Sequence, residues 1–340
     1  ACGESPEEAA KKQEAADQAA SEAIDAEIGE RVRAMYPPLP ESADNPENLL
    51  TAEKVRLGKI LYFDKRLSND GTQSCNSCHN MDTYGVDNLS VSPGDNGGNG
   101  VRNSPTVLNA AFHTSQFWDG RAKDVEEQAG MPITNPAEMG MLSEDHLVER
   151  LSEIDMYKKM FAEVYPEEKE PLNYKNIARS IGAFERTLIT PSRFDEYLRG
   201  STDALSLQEK KGLQTFMNVG CVSCHMGATL GGSMFQKFGV YGNYWDHTKS
   251  AVIDEGRFEV SQNELDRYIF KVPSLRNITE THPYFHDGSV ADLGEAVRIM
   301  AKVNLNQDLT QEQVGDIVAF LGALKGEVTP EMASFPPELQ

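Results

Sequence analysis

Cys75-Asn76-Ser77-Cys78-His79 and Cys221-Val222-Ser223-Cys224-His225 are the two stretches on which the reading of this chain turns. Two thiols three residues apart in a helical turn can add to both vinyl groups of one haem. The adjacent histidine then points its imidazole at the iron. The two motifs use four of the five cysteines in the chain. The competing chemistry for paired cysteines is a four-cysteine zinc site, which leaves unexplained why both pairs end in His. Two covalently attached c-type haems are therefore expected, with His79 and His225 as iron ligands. A methionine in the sixth iron position raises the potential and suits electron transfer, while an open position suits chemistry on a small ligand. Composition does not choose among the twelve methionines.

Working outward from the motifs, the strongest periodic segments are helical. Thr51 caps a segment burying Val55, Ile60 and Leu61, and Asn173 precedes Ile177, Ile181, Phe184 and Leu188 on one face. Ser206 with Glu209, Asp292 with Glu295, and Thr310 with Gln313 read as capping boxes, and Gly326 as the stop of the last helix. Gly58 and Phe63 precede the first motif much as Gly212 and Phe216 precede the second, a weak internal repeat. Strand-like alternation is sparse, and Asp82–Asn103 is rich in Gly, Asn and Asp. The expected fold is all-α: two cytochrome c-like domains with long loops, each holding one haem. The expected division is an acidic tether over 1–45, either a solvated helix or disordered, domains over 46–189 and 190–327, and a tail over 328–340.

The net charge of −21 argues against a nucleic-acid partner, since phosphate binding needs a basic surface. It leaves room for a basic protein partner or a neutral small substrate. No apolar run is long enough to span a membrane. Two readings of Cys2 stay open: a lipid-bearing cysteine at a trimmed lipoprotein start, or an unpaired thiol. Haem attachment of this type takes place outside the bacterial cytoplasm, so the expected compartment is the periplasm, with a membrane tether on the lipid reading.

Four further stretches make the chain resemble the bacterial di-haem cytochrome c peroxidases from about residue 48 to 326: Arg102–Asn109 (RNSPTVLN), Gln116–Arg121 (QFWDGR), Lys271–Asn277 (KVPSLRN) and Pro283–Gly288 (PYFHDG). The resemblance implies that the haem on His79 reacts with hydrogen peroxide. The haem on His225 then accepts electrons from a small donor protein, a cytochrome c or a cupredoxin. It implies Met300 as second ligand of the C-terminal haem, although a core methionine on a helix face has the same spacing. Trp118 would lie between the haems and His286 near the second. Glu138, with Gln128 beside it, would move the proton that O–O cleavage requires. The resemblance also implies calcium on Asn103 and the carbonyls of Thr281 and Pro283, and a homodimer. His113, His146, His247 and His282 receive no role and are expected at surface or structural positions.

In this resemblance a loop histidine sixteen residues after the first proximal histidine often caps the resting N-terminal iron. Here that place is Asp95, in a Gly-rich loop expected to be mobile, so an open N-terminal haem is expected at rest. Two alternatives remain: a MauG-like oxidase of a partner protein, whose relatives carry tyrosine where Met300 stands, and a di-haem electron carrier without peroxidase activity.

Overall fold

The computed structural model describes residues 5–340; Cys2 lies outside them. Among the described residues fourteen α-helices are joined by long loops: α1 (Pro6–Met35), α2 (Ala52–Phe63), α3 (Cys75–Cys78), α4 (Val125–Thr134), α5 (Glu144–Ser152), α6 (Asp155–Val164), α7 (Tyr174–Glu185), α8 (Arg193–Leu198), α9 (Leu207–Val219), α10 (Tyr244–Thr248), α11 (Phe258–Ser261), α12 (Leu293–Leu305), α13 (Gln311–Gly322) and α14 (Pro330–Ala333). One short antiparallel pair, β1 (Phe235–Lys237) and β2 (Ile269–Lys271), sets Phe235 opposite Lys271. No helix among the described residues is long and apolar enough to cross a membrane.

The anticipated caps form at Thr51, Asn173, Ser206 and Thr310. Asp292 caps α12 by accepting from the Glu295 amide, a single bond rather than a reciprocal box. Gly326 does not end α13, which closes at Gly322. It instead allows close backbone approach, because a Cβ there would stand 2.6 Å from the Thr190 carbonyl carbon.

Each half is built on a crossing of two helices at a glycine. A Cβ on Gly58 of α2 would stand 2.6 Å from the Ser180 carbonyl carbon of α7. One on Gly212 of α9 would stand 2.6 Å from that of Asp316 of α13. The first crossing belongs to a core containing Leu57, Leu61, Ile177 and Phe184, the second to one containing Leu213, Phe216, Ile317 and Phe320. Both helices that lead into the Cys-x-x-Cys-His motifs, α2 and α9, are thereby seated on their cores.

Residues 1–45 were expected to be a solvated helix or a disordered tether; the described part is largely a helix, and its second half is packed rather than solvated. Ser5 and Glu8 form a capping box that starts α1. Its first half is exposed, but Ile24, Ile28 and Val32 fall four residues apart and bury in the second core, followed by Tyr36. Asp25 reaches Lys210 at 2.6 Å and the Tyr197 hydroxyl at 2.8 Å. Three buried apolar side chains in a thirty-residue helix make a stripe too thin to stand out within a charged, alanine-rich run. The expected tail also packs: Met332 joins the first core and Phe335 meets Phe63 edge-on.

The internal repeat extends beyond the haem motifs. Pro105–Asn109 corresponds to Pro273–Asn277. Asn109 and Asn277 both adopt φ 61°, a left-handed conformation that Asn tolerates. Both donate their side-chain amides to the Thr190 hydroxyl, at 2.8 and 2.9 Å, where the two halves meet. Gln116–Gly120 likewise corresponds to Tyr284–Gly288. Each loop has a left-handed phenylalanine, Phe117 or Phe285, and is closed by a bridge, Gln116 to Ala122 or Tyr284 to Val290. Trp118 and His286 therefore occupy equivalent positions, with ring centroids 6.3 Å apart.

Candidate active site

A cavity of about 650 Å3 runs through the seam between the halves, and both haem motifs, Asn103, Trp118, Gln128, Glu138, Thr281, Pro283, His286 and Met300 line it, while Asp95 does not. A second cleft, of about 510 Å3 beside α4 and α7, contains none of them.

The two motifs are presented alike. The His79 carbonyl accepts the Tyr62 hydroxyl at 2.6 Å, and the His225 carbonyl accepts the Tyr36 hydroxyl at 3.0 Å. His79 Nδ1 lies 3.3 Å from the Gly85 carbonyl and His225 Nδ1 lies 3.0 Å from that of Leu230. A carbonyl can only accept, so Nδ1 carries the proton and Nε2 keeps its lone pair, the form that binds a metal. Burial holds both imidazoles below the ordinary histidine range, which favours that neutral form.

Burial also pushes the Cys75 thiol up, Cys78 to about 11 and Cys221 to about 12. Zinc needs thiolates gathered at one point. Among the described residues no three His, Cys, Asp or Glu side chains gather to hold a metal ion. The four-cysteine alternative therefore fails on geometry. A haem at each motif fits: the cavity walls are mainly apolar, both motifs open onto it, and three buried polar atoms of lining residues lack partners, His113 Nε2, Glu185 Oε2 and His286 Nε2.

Trp118 is fixed from two sides. Its Nε1 donates to the Asn103 carbonyl at 2.9 Å, and its own carbonyl accepts the Lys271 amide at 2.7 Å. One half of the chain thus holds the ring and the other holds its backbone. His286 stacks on Phe270 at 4.3 Å, and its carbonyl accepts the Asn103 amide. Met300, on α12, packs at the edge of the small aromatic core around Tyr244 and Phe238.

Glu138 sits in the loop after α4, and Gln128 on that helix. Burial raises the Glu138 carboxyl above the usual range, against a smaller lowering by Arg121 and Asn135. Its carbonyl accepts the Asp95 amide at 2.7 Å. Asp95 itself is not in a mobile solvated setting as expected. It is buried, and its carboxylate accepts from the Thr72 amide at 3.0 Å and the Thr72 hydroxyl at 2.6 Å, as well as from the Asp70 amide. Gly94 packs so closely on Ala137 that a Cβ would stand 3.0 Å from its carbonyl carbon. The Gly-rich loop is therefore strapped to the segments around it.

Asn103, Thr281 and Pro283 all line the cavity. The Asn103 amide nitrogen is committed to the Leu89 carbonyl at 2.8 Å, which leaves Oδ1 as an acceptor. An amide oxygen and two carbonyls are hard donors of the kind calcium takes.

Three features escaped the sequence reading. The motif-anchoring tyrosines Tyr36 and Tyr62 carry no local signature. Glu185 is buried on the cavity wall, its carboxyl pushed up to about 8 by burial and by Glu126. His113, assigned no role, lines the cavity beside Lys271. The F-[WH]-D-G repeat was the available signal that Gln116–Gly120 and Tyr284–Gly288 face the same space.

The family model described as di-haem cytochrome c peroxidase matches residues 52–203. A cytochrome c551 peroxidase of Nitrosomonas europaea is 44% identical over 290 residues, covering 85% of this chain and 84% of that protein. The cytochrome c551 peroxidase of Pseudomonas aeruginosa is 44% identical over 303 residues, covering 88% and 87%. Among solved structures, a MauG-like protein associated with microbial copper homeostasis superposes with a TM-score of 0.77 at 29% identity, covering 87% of this chain and 96% of that one.

Proposed function

Because the chain belongs to the di-haem cytochrome c peroxidase family, we propose that it reduces hydrogen peroxide to water with electrons from a small cytochrome c or cupredoxin. Each turnover takes one peroxide, two electrons and two protons and yields two waters. The haems, one at Cys75, Cys78 and His79 and one at Cys221, Cys224 and His225, supply the redox chemistry. The observation that carries the reading is the convergence of both motifs, Trp118, Glu138 and Met300 on one cavity.

The residues divide the work. His79 and His225 present neutral Nε2 atoms, each imidazole aimed by its Nδ1–H and each motif backbone pinned by a tyrosine. Met300 would be the second ligand of a haem held at His225, where a thioether raises the potential. Glu138, a carboxyl that burial inclines to hold its proton, moves a proton from one peroxide oxygen to the other, with Gln128 as a neighbouring hydrogen-bonding group. Trp118, tied to both halves, supports electron passage from the C-terminal side to the N-terminal side. Asp95, committed to Thr72 and Asp70, would not be free to cap a haem held at His79, and that centre would stand open to peroxide. The Asn103 side chain and the carbonyls of Thr281 and Pro283 would hold calcium at the seam.

The domain assignment proposed is an N-terminal peroxidatic unit over 46–189 and a C-terminal electron-accepting unit over 190–327, with residues 24–36 added to the second. A homodimer, a periplasmic location and a lipid on Cys2 belong to the same proposal. The deciding experiment adds peroxide to half-reduced protein with a reduced cytochrome c present. Stoichiometric oxidation of two donor equivalents per peroxide supports the reading. A protein that exchanges electrons with the donor but leaves peroxide untouched is an electron carrier, and the proposal fails.

A further inference from the structure

The cavity holds a buried cation and a buried donor that the proposed reaction does not use. Lys271 is 7% exposed, and its Nζ donates to the Ser115 carbonyl at 2.8 Å. Among the described residues no carboxylate forms an ion pair with it. Asp119, the acidic group that acts on it, is engaged by Arg102 and Arg121. An ammonium taken out of water without a counter-charge is strongly disfavoured.

The same Nζ lies 3.4 Å from His113 Nδ1. An ammonium can only donate, so Nδ1 accepts and the His113 proton sits on Nε2. Nε2 is buried without a partner. Burial and the Lys271 charge both hold His113 neutral, consistent with this tautomer. The imidazole fits only because position 232 is glycine: a Cβ there would stand 2.7 Å from His113 Cγ and 2.9 Å from Nε2. An unmatched positive charge and an unmatched N–H donor, side by side on a cavity wall, are complementary to an anionic oxygen group.

We propose that His113 and Lys271 form the receptor for a carboxylate of the C-terminal haem, so that the first half of the chain supplies part of the second haem's pocket. The choice of haem follows from the backbone. Gly232, against which His113 packs, lies two residues past Leu230, whose carbonyl orients His225. The Gly232 amide donates at 2.7 Å to the Val272 carbonyl, next to Lys271. The contact is a charge-assisted hydrogen bond that neutralises negative charge near the C-terminal iron and so favours its reduced state.

The inference rests on the two-haem reading, and loss of the paired haem c absorption would overturn that reading first. With both haems present, the test compares His113→Leu, His113→Gln and Lys271→Met in the holoprotein. The readouts are redox titration of each haem and the propionate-bending band in the resonance Raman spectrum. His113→Leu and Lys271→Met should shift the C-terminal potential downward and move that haem's propionate band. His113→Gln keeps an N–H donor and should stay closer to the unsubstituted protein. Equal shifts for Leu and Gln mean packing alone and overturn the proposal. So do an unshifted C-terminal haem, a shift confined to the N-terminal haem, and a potential change that tracks chloride or phosphate concentration with the propionate band unmoved. The last would identify a solvent anion as the occupant.

Discussion

Replacing Gly58 by alanine sets a methyl group into the crossing of α2 and α7. Its carbon would stand 2.6 Å from the Ser180 carbonyl carbon and 3.0 Å from Phe184 Cβ, where unbonded carbons settle at about 3.5–4.0 Å. The helices must therefore part by roughly 1 Å. The obstruction is helix backbone, which cannot swing aside as the end of a flexible side chain can. Overpacking of a dense core costs about 1–3 kcal/mol, and rigid atoms on both sides place this variant at or above about 3 kcal/mol. The effect reaches the site, because α2 carries Tyr62, whose hydroxyl holds the His79 carbonyl. Guanidinium unfolding followed by circular dichroism and by haem absorbance measures both consequences. Gly242→Ala, where a methyl meets open space, is the control and should unfold near the parent midpoint. Gly212→Ala should mimic Gly58→Ala in the second half, where the corresponding distances are 2.6 Å to the Asp316 carbonyl carbon and 2.8 Å to Phe320 Cβ. If Gly58→Ala unfolds at the parent midpoint, the helices do not cross this closely and the argument is wrong.

Glu138→Gln keeps the size of the side chain but removes proton exchange, so steady-state peroxide turnover should drop by about 100-fold or more; near-parent rates remove Glu138 from the chemistry. Met300→His should lower the potential of the C-terminal haem in a redox titration, because imidazole replaces a thioether, and an unmoved potential refutes ligation. The fully oxidised protein should bind cyanide at its N-terminal haem without prior reduction, since Asp95 is tied to Thr72 and Asp70; a low-spin centre that ignores cyanide would show that another residue caps the iron. Glu185 has its folded pKa raised to about 8 by burial, from a usual value of 4.5. Its neutral form favours the fold at acid pH, and that advantage is lost as pH rises from the unfolded value through the folded one. The loss approaches 5 kcal/mol, on the order of 1.4 kcal/mol per unit. Glu185→Gln should flatten the stability profile between pH 5 and 9, and parallel profiles for the two proteins would count against a buried neutral carboxyl.

The haem-bearing centres were legible because covalent attachment forces a short, rigid spacing that survives any fold around it. Helix starts at Thr51, Asn173, Ser206 and Thr310 were legible for a similar reason: capping is a contact over three residues. What could not be read were contacts over long sequence separations. Tyr36 reaches the carbonyl of His225, and Lys271 reaches His113, with nothing local to announce either. The packing of the second half of α1 was missed for a different reason. The exposed first half of α1 diluted a three-residue stripe that matters only because α9 lies opposite it. Asp95 misled through composition, since glycines around an acidic residue suggest freedom. Here Gly94 is needed for close packing on Ala137, and the carboxylate closes the turn at Asp70–Thr72.

The two ends of the described chain are exchanged between the cores. Ile24, Ile28 and Val32 complete the second core, while Met332, with Leu339 packed alongside, helps close the first. Arg56 pairs with Glu338, and the Lys59 ammonium donates to the Glu331 carbonyl at 2.6 Å and the Ser334 hydroxyl at 2.9 Å. During synthesis the first core therefore stays unfinished until Met332 and Leu339 have emerged, and Ile24, Ile28 and Val32 wait for partners in α9 and α13. Cutting the gene between the two units would leave each fragment without a piece it needs. The molecule is laced shut from both ends, and its two centres mature as one object.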